Sequence, residues 1–300
     1  MSSGTKAGVA LLVGLVLVAT GCASATRSST TASGKVRVVA AFYPVVVAAQ
    51  RVGGSCVEVT NLTPAGAEPH DLELVPDQVD EIQDAGVVFV MGHGFQPAVE
   101  RAANDRDGPT VKLLDGLRSR RSSDPHVWLD PVRYSKLVDA VTAALVKVAP
   151  KCRAKIEANA QRYRAEIEQV GRQYATGLAH CKRKTIVTAH EAFGYLATRY
   201  GLTQAGITGI SPDEEPNAAR LADLADLVHA KGITTIFTEE LVSPRVADAL
   251  AREAGGVKTE TLNPLEGLTD REIGRGDDWA SVMGTNLAKL RAALGCTAGS

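Results

Sequence analysis

Three of the chain's six histidines stand in settings that hold an imidazole still. His126 lies within Asp124-Pro125-His126-Val127-Trp128-Leu129-Asp130-Pro131, between two Asp-Pro pairs and beside one of only two tryptophans. Proline confines the residue before it to extended or turn geometry, which predicts a short rigid segment and not a helix. Trp128 and Leu129 are expected to pin that segment in the core. His70 follows Glu68-Pro69, and His190 sits in Thr188-Ala189-His190-Glu191-Ala192-Phe193. Neutral imidazole is the commonest protein metal ligand, so three immobilised imidazoles are a candidate metal set. The long spacings put each on a separate loop. Zinc hydrolysis is the rival chemistry, and Glu191 follows His190 as the base follows the first ligand of a His-Glu-x-x-His helix. Gly194 stands where the second histidine of that motif would be, which argues against it.

The elements that must position these side chains alternate strand with helix. Apolar runs predict parallel strands at 36–42, 57–62, 87–91 and 110–114, with helices at 45–52, 76–85, 95–103 and 132–148. His70 falls in the turn-rich loop Pro64-Ala65-Gly66-Ala67-Glu68-Pro69-His70 after the second strand. Ligands of open α/β sheets collect at the carboxyl ends of strands. From Arg153 to His180 an apolar stripe of Ile156, Ala160, Tyr163, Ile167, Val170, Tyr174 and Leu178 predicts one helix about 42 Å long. Gly171 and Gly177 inside it each cost about 1 kcal/mol against alanine, so it is expected to be rigid but not maximally so. The pattern then repeats, with strands at 184–188, 204–207, 233–238 and 257–261. Helices follow at 192–200, 218–230, 244–254 and 278–294, and 262–269 reads as a turn segment. The fold class is α/β, with the strand–helix pattern repeated on either side of one long helix.

Three hundred residues at a formal net charge of −1 make one large or two modest domains, with no field to attract nucleic acid. The short basic run Arg118-Ser119-Arg120-Arg121 reads as a solvated loop. Residues 1–21 carry Lys6 and then an apolar stretch from Val9 to Ala19, shorter than the ~20 residues of a bilayer span, and read as an export signal. Val18-Ala19-Thr20-Gly21-Cys22 resembles a lipobox, with alanine where leucine is commoner, so Cys22 is the expected lipidation site. Residues 22–34, rich in Ser, Thr and Ala, read as a flexible tether that anchors the protein at the extracytoplasmic face of the cell membrane.

The segments around His70, His126 and His190, in this order, resemble the metal-binding motifs of solute-binding protein family 9, the zinc and manganese substrate-binding lipoproteins of bacterial ABC transporters. The resemblance covers nearly all of the chain after the export signal. It implies two α/β lobes with a metal cleft between them, an N-terminal lobe at 35–150 and a C-terminal lobe at 182–300, joined by one long connecting helix at 151–181. It also implies a fourth, acidic ligand, carried onto Glu266 in Leu262-Asn263-Pro264-Leu265-Glu266-Gly267. The set would then be N3O, with His70 and His126 from the first lobe and His190 and Glu266 from the second. Three-histidine members often take zinc, and the Irving–Williams order favours zinc over manganese at any N/O site. Zn2+ is therefore the expected transported ligand, with Mn2+ as the alternative. The implied partner is the membrane permease of an ABC transporter; some members are described as adhesins. A monomer without catalytic residues is expected. Glu68, Asp124, Asp130 and Glu191 flank the histidines and are candidates to orient them. His93, His180 and His229 read as bland.

Besides Cys22, four cysteines remain, an even set in an oxidising compartment. An intact helix between Cys152 and Cys181 keeps these two too far apart to bridge, since a disulfide tolerates about 7 Å between Cα atoms. Cys56 and Cys152 border the first lobe, Cys181 and Cys296 the second, so the expected pairs are Cys56–Cys152 and Cys181–Cys296.

Overall fold

The computed structural model of the chain describes residue 1 and residues 29–117 and 123–297. The export signal, Cys22 and the 118–121 basic run lie outside the described residues.

The first sheet forms from β1 (Val36–Ala40), β2 (Val57–Asn61), β3 (Val87–Val90) and β4 (Thr110–Lys112), all parallel in the order β2-β1-β3-β4. Its helices are α1 (Tyr43–Gly53), α2 (Pro76–Asp84), α3 (Pro97–Asn104) and α4 (Pro131–Val148). The second sheet repeats the order as β6-β5-β7-β8, built from β5 (Thr185–Thr188), β6 (Thr203–Gly206), β7 (Thr235–Thr238) and β8 (Lys258–Thr261). Around it lie α6 (Gly194–Arg199), α7 (Ala218–Lys231), α8 (Arg245–Glu253), α9 (Asp270–Arg275) and α10 (Trp279–Leu294). The central strands are buried on both faces, as all-parallel sheets require: every residue of β3 and β7 is buried. In each sheet the order reverses between the first and third strands, which leaves a crevice at their carboxyl ends.

The connecting helix α5 runs from Arg153 to Gly177, three residues short of the expected end, and is about 38 Å long. Its apolar stripe from Ile156 to Tyr174 is buried against α1, α4 and α10. The two glycines in α5 permit close approach. A Cβ at Gly171 would come within 3.3 Å of Pro131, and one at Gly177 within 3.1 Å of Leu287. Each end of α5 is held covalently, by Cys56–Cys152 next to the first lobe and Cys181–Cys296 next to the second.

Two further observations differ from the sequence reading. α9 was not anticipated; it begins with a reciprocal cap in which Thr269 accepts from the Glu272 backbone and Glu272 accepts from that of Thr269. The last residues of the expected tether are folded: Thr30 bridges Val36, and Thr31 N donates to Lys35 O at 2.9 Å.

Of two buried apolar clusters, the larger runs through both lobes and the smaller, around Val187, Leu224, Ile236 and Leu250, lies within the second. Trp128 and Trp279 are the largest fully buried side chains of the larger cluster, which also holds Phe42, Phe89 and Tyr134 from the first lobe and Phe193 and Phe237 from the second. Trp128 Nε1 donates to Pro264 O at 2.8 Å, and Trp279 Nε1 to Trp128 O at 3.0 Å. The two indoles thereby fasten the His126 segment to the second lobe without leaving a buried N–H unpaired.

Candidate metal centre

All four candidate ligands come from loops at the carboxyl ends of strands: His70 after β2, His126 after β4, His190 two residues after β5 and Glu266 after β8. Pro125 and Pro131 bracket a single 3-10 turn, Val127–Leu129, and His126 is the N-cap immediately before it, so the rigid segment is a tight turn and not extended chain. Asp130 closes the bracket. Its carboxylate caps α4 through Val132 N at 3.0 Å and pairs with Arg199 of α6, a contact between the lobes.

Glu266 is presented by strained backbone. Leu265 has φ 60°, a left-handed conformation that costs a non-glycine residue roughly 1–2 kcal/mol. A buried polar network holds it there. Asn263 Oδ1 accepts from Leu265 N at 2.7 Å, Asn286 exchanges two hydrogen bonds with the Asn263 backbone, and Asn263 Nδ2 donates to Glu272 of α9.

The four side chains converge. The Nε2 atoms of His70, His126 and His190 lie 3.1, 3.0 and 3.4 Å from Glu266 Oε1, and those of His126 and His190 are 3.2 Å apart. All four donor atoms fall within 4.8 Å of one another and form a possible metal site. Zinc–nitrogen bonds of about 2.0–2.1 Å put tetrahedral donors about 3.4 Å apart, so the set matches a four-coordinate ion with little movement. His126, His190 and Glu266 are fully buried, and the His70 ring meets that of Phe95 in a T-shaped contact with centroids 4.6 Å apart.

The sequence profile described as ZnuA, zinc-uptake complex component A periplasmic, matches residues 38–293. The chain belongs to this family. The zinc-binding lipoprotein AdcA of Streptococcus pneumoniae (strain ATCC BAA-255 / R6) is 38% identical over 281 residues, covering 87% of this chain and 56% of AdcA. The chain thus spans little more than half the length of that relative. The high-affinity zinc uptake system protein ZnuA of Bacillus subtilis (strain 168) is 34% identical over 302 residues, covering 93% of this chain and 94% of that one. The crystal structure of the Zn(II)-bound ZnuA-like domain of S. pneumoniae AdcA has a TM-score of 0.76 at 38% identity and covers 87% of this chain and 99% of that chain.

In this member of the ZnuA family, two of the imidazoles are gripped by carboxylates on the side away from the donor cluster. Asp124 accepts from His126 Nδ1 at 2.8 Å and from its backbone N at 2.9 Å. Glu239 does the same for His190, at 2.7 and 3.0 Å. Such partners leave the far ring nitrogen free for a metal. Of the flanking acids, Asp124 alone hydrogen-bonds a ring, while Glu68 Oε1 lies 4.0 Å from His70 Nε2. Glu68 accepts from the His70 backbone, Asp130 caps α4, and Glu191 pairs with Arg220. Glu239 escaped the sequence reading because it lies 49 residues from His190 and meets it only through the pairing of β5 with β7. His93 is bonded to Asp115 at the surface, and His180 and His229 are exposed; none of the three is at the site.

Burial alone would push the Glu266 carboxyl up, but the charge on His190 and hydrogen bonds from the three imidazoles hold it well below the usual carboxylate range. Burial likewise pushes the His190 imidazole down, yet Glu266 and Glu239 outweigh it and raise its pKa far above 6.5. His126 is also raised, with Asp124 and Glu266 overcoming burial. Glu68 is pushed up to about 7, chiefly by burial. Without a metal these groups hold protons at neutral pH, and an incoming metal must displace them. The sign follows: protons compete more strongly as pH falls, so affinity rises with pH and goes on rising above 6.5. We expect zinc binding at pH 7 to release at least about one proton. Calorimetric titrations in buffers of different ionisation enthalpy measure it, and a binding enthalpy independent of the buffer would contradict it.

Proposed function

We propose that the chain captures Zn2+ at the extracytoplasmic face of the membrane and delivers it to the permease of an ABC transporter. The observation that carries the reading is the convergence of three Nε2 atoms and one carboxylate oxygen at spacings a tetrahedral ion spans. His70, His126, His190 and Glu266 are the proposed ligands. A set closed by four protein donors leaves no position for an activated water, which supports a binding protein over a hydrolase. Only one carboxylate joins three imidazoles, a donor set softer than manganese prefers. The names of the relatives, zinc-binding lipoprotein and zinc uptake system protein, agree with that choice.

Residues 1–21 act as the export signal and 22–34 as the tether, with Cys22 acylated. The N-terminal lobe spans 35–150, the connecting helix 151–181 and the C-terminal lobe 182–300, and the protein works as a monomer. Among the described residues no helix is long and apolar enough to cross a membrane. Cys22→Ala is expected to release the protein into the soluble fraction or leave its precursor uncleaved. Unchanged membrane retention and electrophoretic mobility would contradict this.

The reading is tested on the metal-stripped protein by calorimetry with zinc, with manganese, and with zinc added to manganese-saturated protein. We expect one zinc per chain and full displacement of manganese. Retention of manganese against equimolar zinc would overturn the choice of metal.

A further inference from the structure

We infer that Glu239 is a positioning residue of the metal centre, which sets zinc affinity by fixing which nitrogen of His190 is offered to the ion. This rests on the zinc-binding reading above. Glu239 is the first residue beyond β7, which lies between β5 and β8, and it is buried with its side chain 1% exposed. It directs both of its oxygens at His190: Oε1 accepts from the backbone N at 3.0 Å and Oε2 from ring Nδ1 at 2.7 Å. The carbonyl of the same residue accepts from Thr188 Oγ1 at 2.7 Å and from Gln204 Nε2 at 2.9 Å. His190 is thus held at its amide, its carbonyl and its ring. Glu239 is the group that holds two of the three.

The chemical consequence follows from the imidazole. A neutral ring carries its proton on one nitrogen and its lone pair on the other, and nothing in the ring itself guarantees which. A carboxylate at Nδ1 keeps the proton there and leaves the lone pair on Nε2, which points at Glu266 Oε1 and at His126 Nε2. It also makes Nε2 a stronger donor, because the negative partner stabilises the positive charge that metal binding draws onto the ring. Asp124 grips His126 through the same two hydrogen bonds from a position two residues away in sequence. The two lobes therefore each supply an imidazole gripped at ring and backbone by one carboxylate.

The test uses the full chain and the variants Glu239→Gln and Glu239→Ala, with Glu191→Gln as the control, since Glu191 sits beside His190 but pairs with Arg220. Glutamine keeps the shape but offers one acceptor oxygen for two N–H donors and sets its own amide against the other. Zinc affinity is read by competition with a chromophoric chelator, and ligand geometry by the visible spectrum of the cobalt(II)-loaded protein. We expect Glu239→Gln to weaken zinc about 10–100-fold and shift the cobalt bands, with the metal-free protein still melting cooperatively; Glu191→Gln matches the parent. Parental affinity and spectrum in Glu239→Gln would overturn the assignment, and so would lost affinity with a parental cobalt spectrum, which marks a merely structural role. A parent that takes up neither metal would overturn the zinc reading itself. Nitrogen-15 NMR of the zinc-loaded parent needs no variant: His190 is expected to carry its proton on Nδ1, and coordination through Nδ1 would refute the assignment.

Discussion

Replacing His126 with alanine is expected to lower zinc affinity by more than about 100-fold, ~2.8 kcal/mol. Loss of a partner that merely orients a metal-bound imidazole costs about 10–100-fold, and loss of the imidazole itself must exceed that. The 3-10 turn is bracketed by Pro125 and Pro131, and Trp128 is bonded into the second lobe, so the backbone has little freedom to carry another donor into the vacated position. Glu266→Ala is expected to cost less for a reason specific to this site. Glu266 attracts the zinc, but it also holds the protons on His190 and His126 that zinc must displace. Removing it weakens the ion's hold and that of its competitor together, and water can occupy the fourth position. Competition titrations of the four single alanine variants rank these costs. A His126→Ala protein that binds zinc as tightly as the parent would remove His126 from the ligand set.

The second large effect is on stability. Cys56–Cys152 and Cys181–Cys296 close loops of 96 and 115 residues. The chain-entropy account gives about 4.7 kcal/mol for a loop near 100 residues, and measured losses on removing a native disulfide are about 2–5 kcal/mol. Most single domains are stable by only about 5–15 kcal/mol, so losing either bridge takes a large share and losing both approaches the whole. The bridges also stand at the two ends of α5, where each ties the helix to a different lobe. We expect Cys56→Ser with Cys152→Ser, and separately Cys181→Ser with Cys296→Ser, to lower the urea midpoint of the metal-free protein strongly. Zinc should restore part of the loss, since a ligand that binds only the folded state stabilises it by mass action. A midpoint unchanged in both double variants would show that packing around α5 alone holds the lobes.

How much of this was legible in the chain depends on the distance over which each signal acts. The α/β alternation and the stripe of α5 are local periodicities, and they appear as strands and helix nearly where the apolar spacing puts them. His126 was legible because the prolines that restrain it are its neighbours. Glu266 was found through resemblance, since the forces that aim it, from Asn263, Asn286 and Glu272, act across the fold. Glu239 left no local mark, because Thr238-Glu239-Glu240 after an apolar strand looks like any strand end. The unanticipated α9 did have a signal, the Thr269-x-x-Glu272 capping box, overshadowed by the turn residues before it. The glycines of α5 were read by intrinsic propensity, while their role is set by Pro131 and Leu287 from other helices.

The central claim is that three imidazoles and one carboxylate close around a single zinc. X-ray absorption at the zinc edge of the full chain, loaded with one equivalent, tests it most directly. The account predicts four nitrogen or oxygen neighbours at about 2.0–2.1 Å, with the outer-shell scattering of three imidazole rings and no sulfur. A first shell of five or six oxygens, or scattering from one imidazole or none, would contradict it.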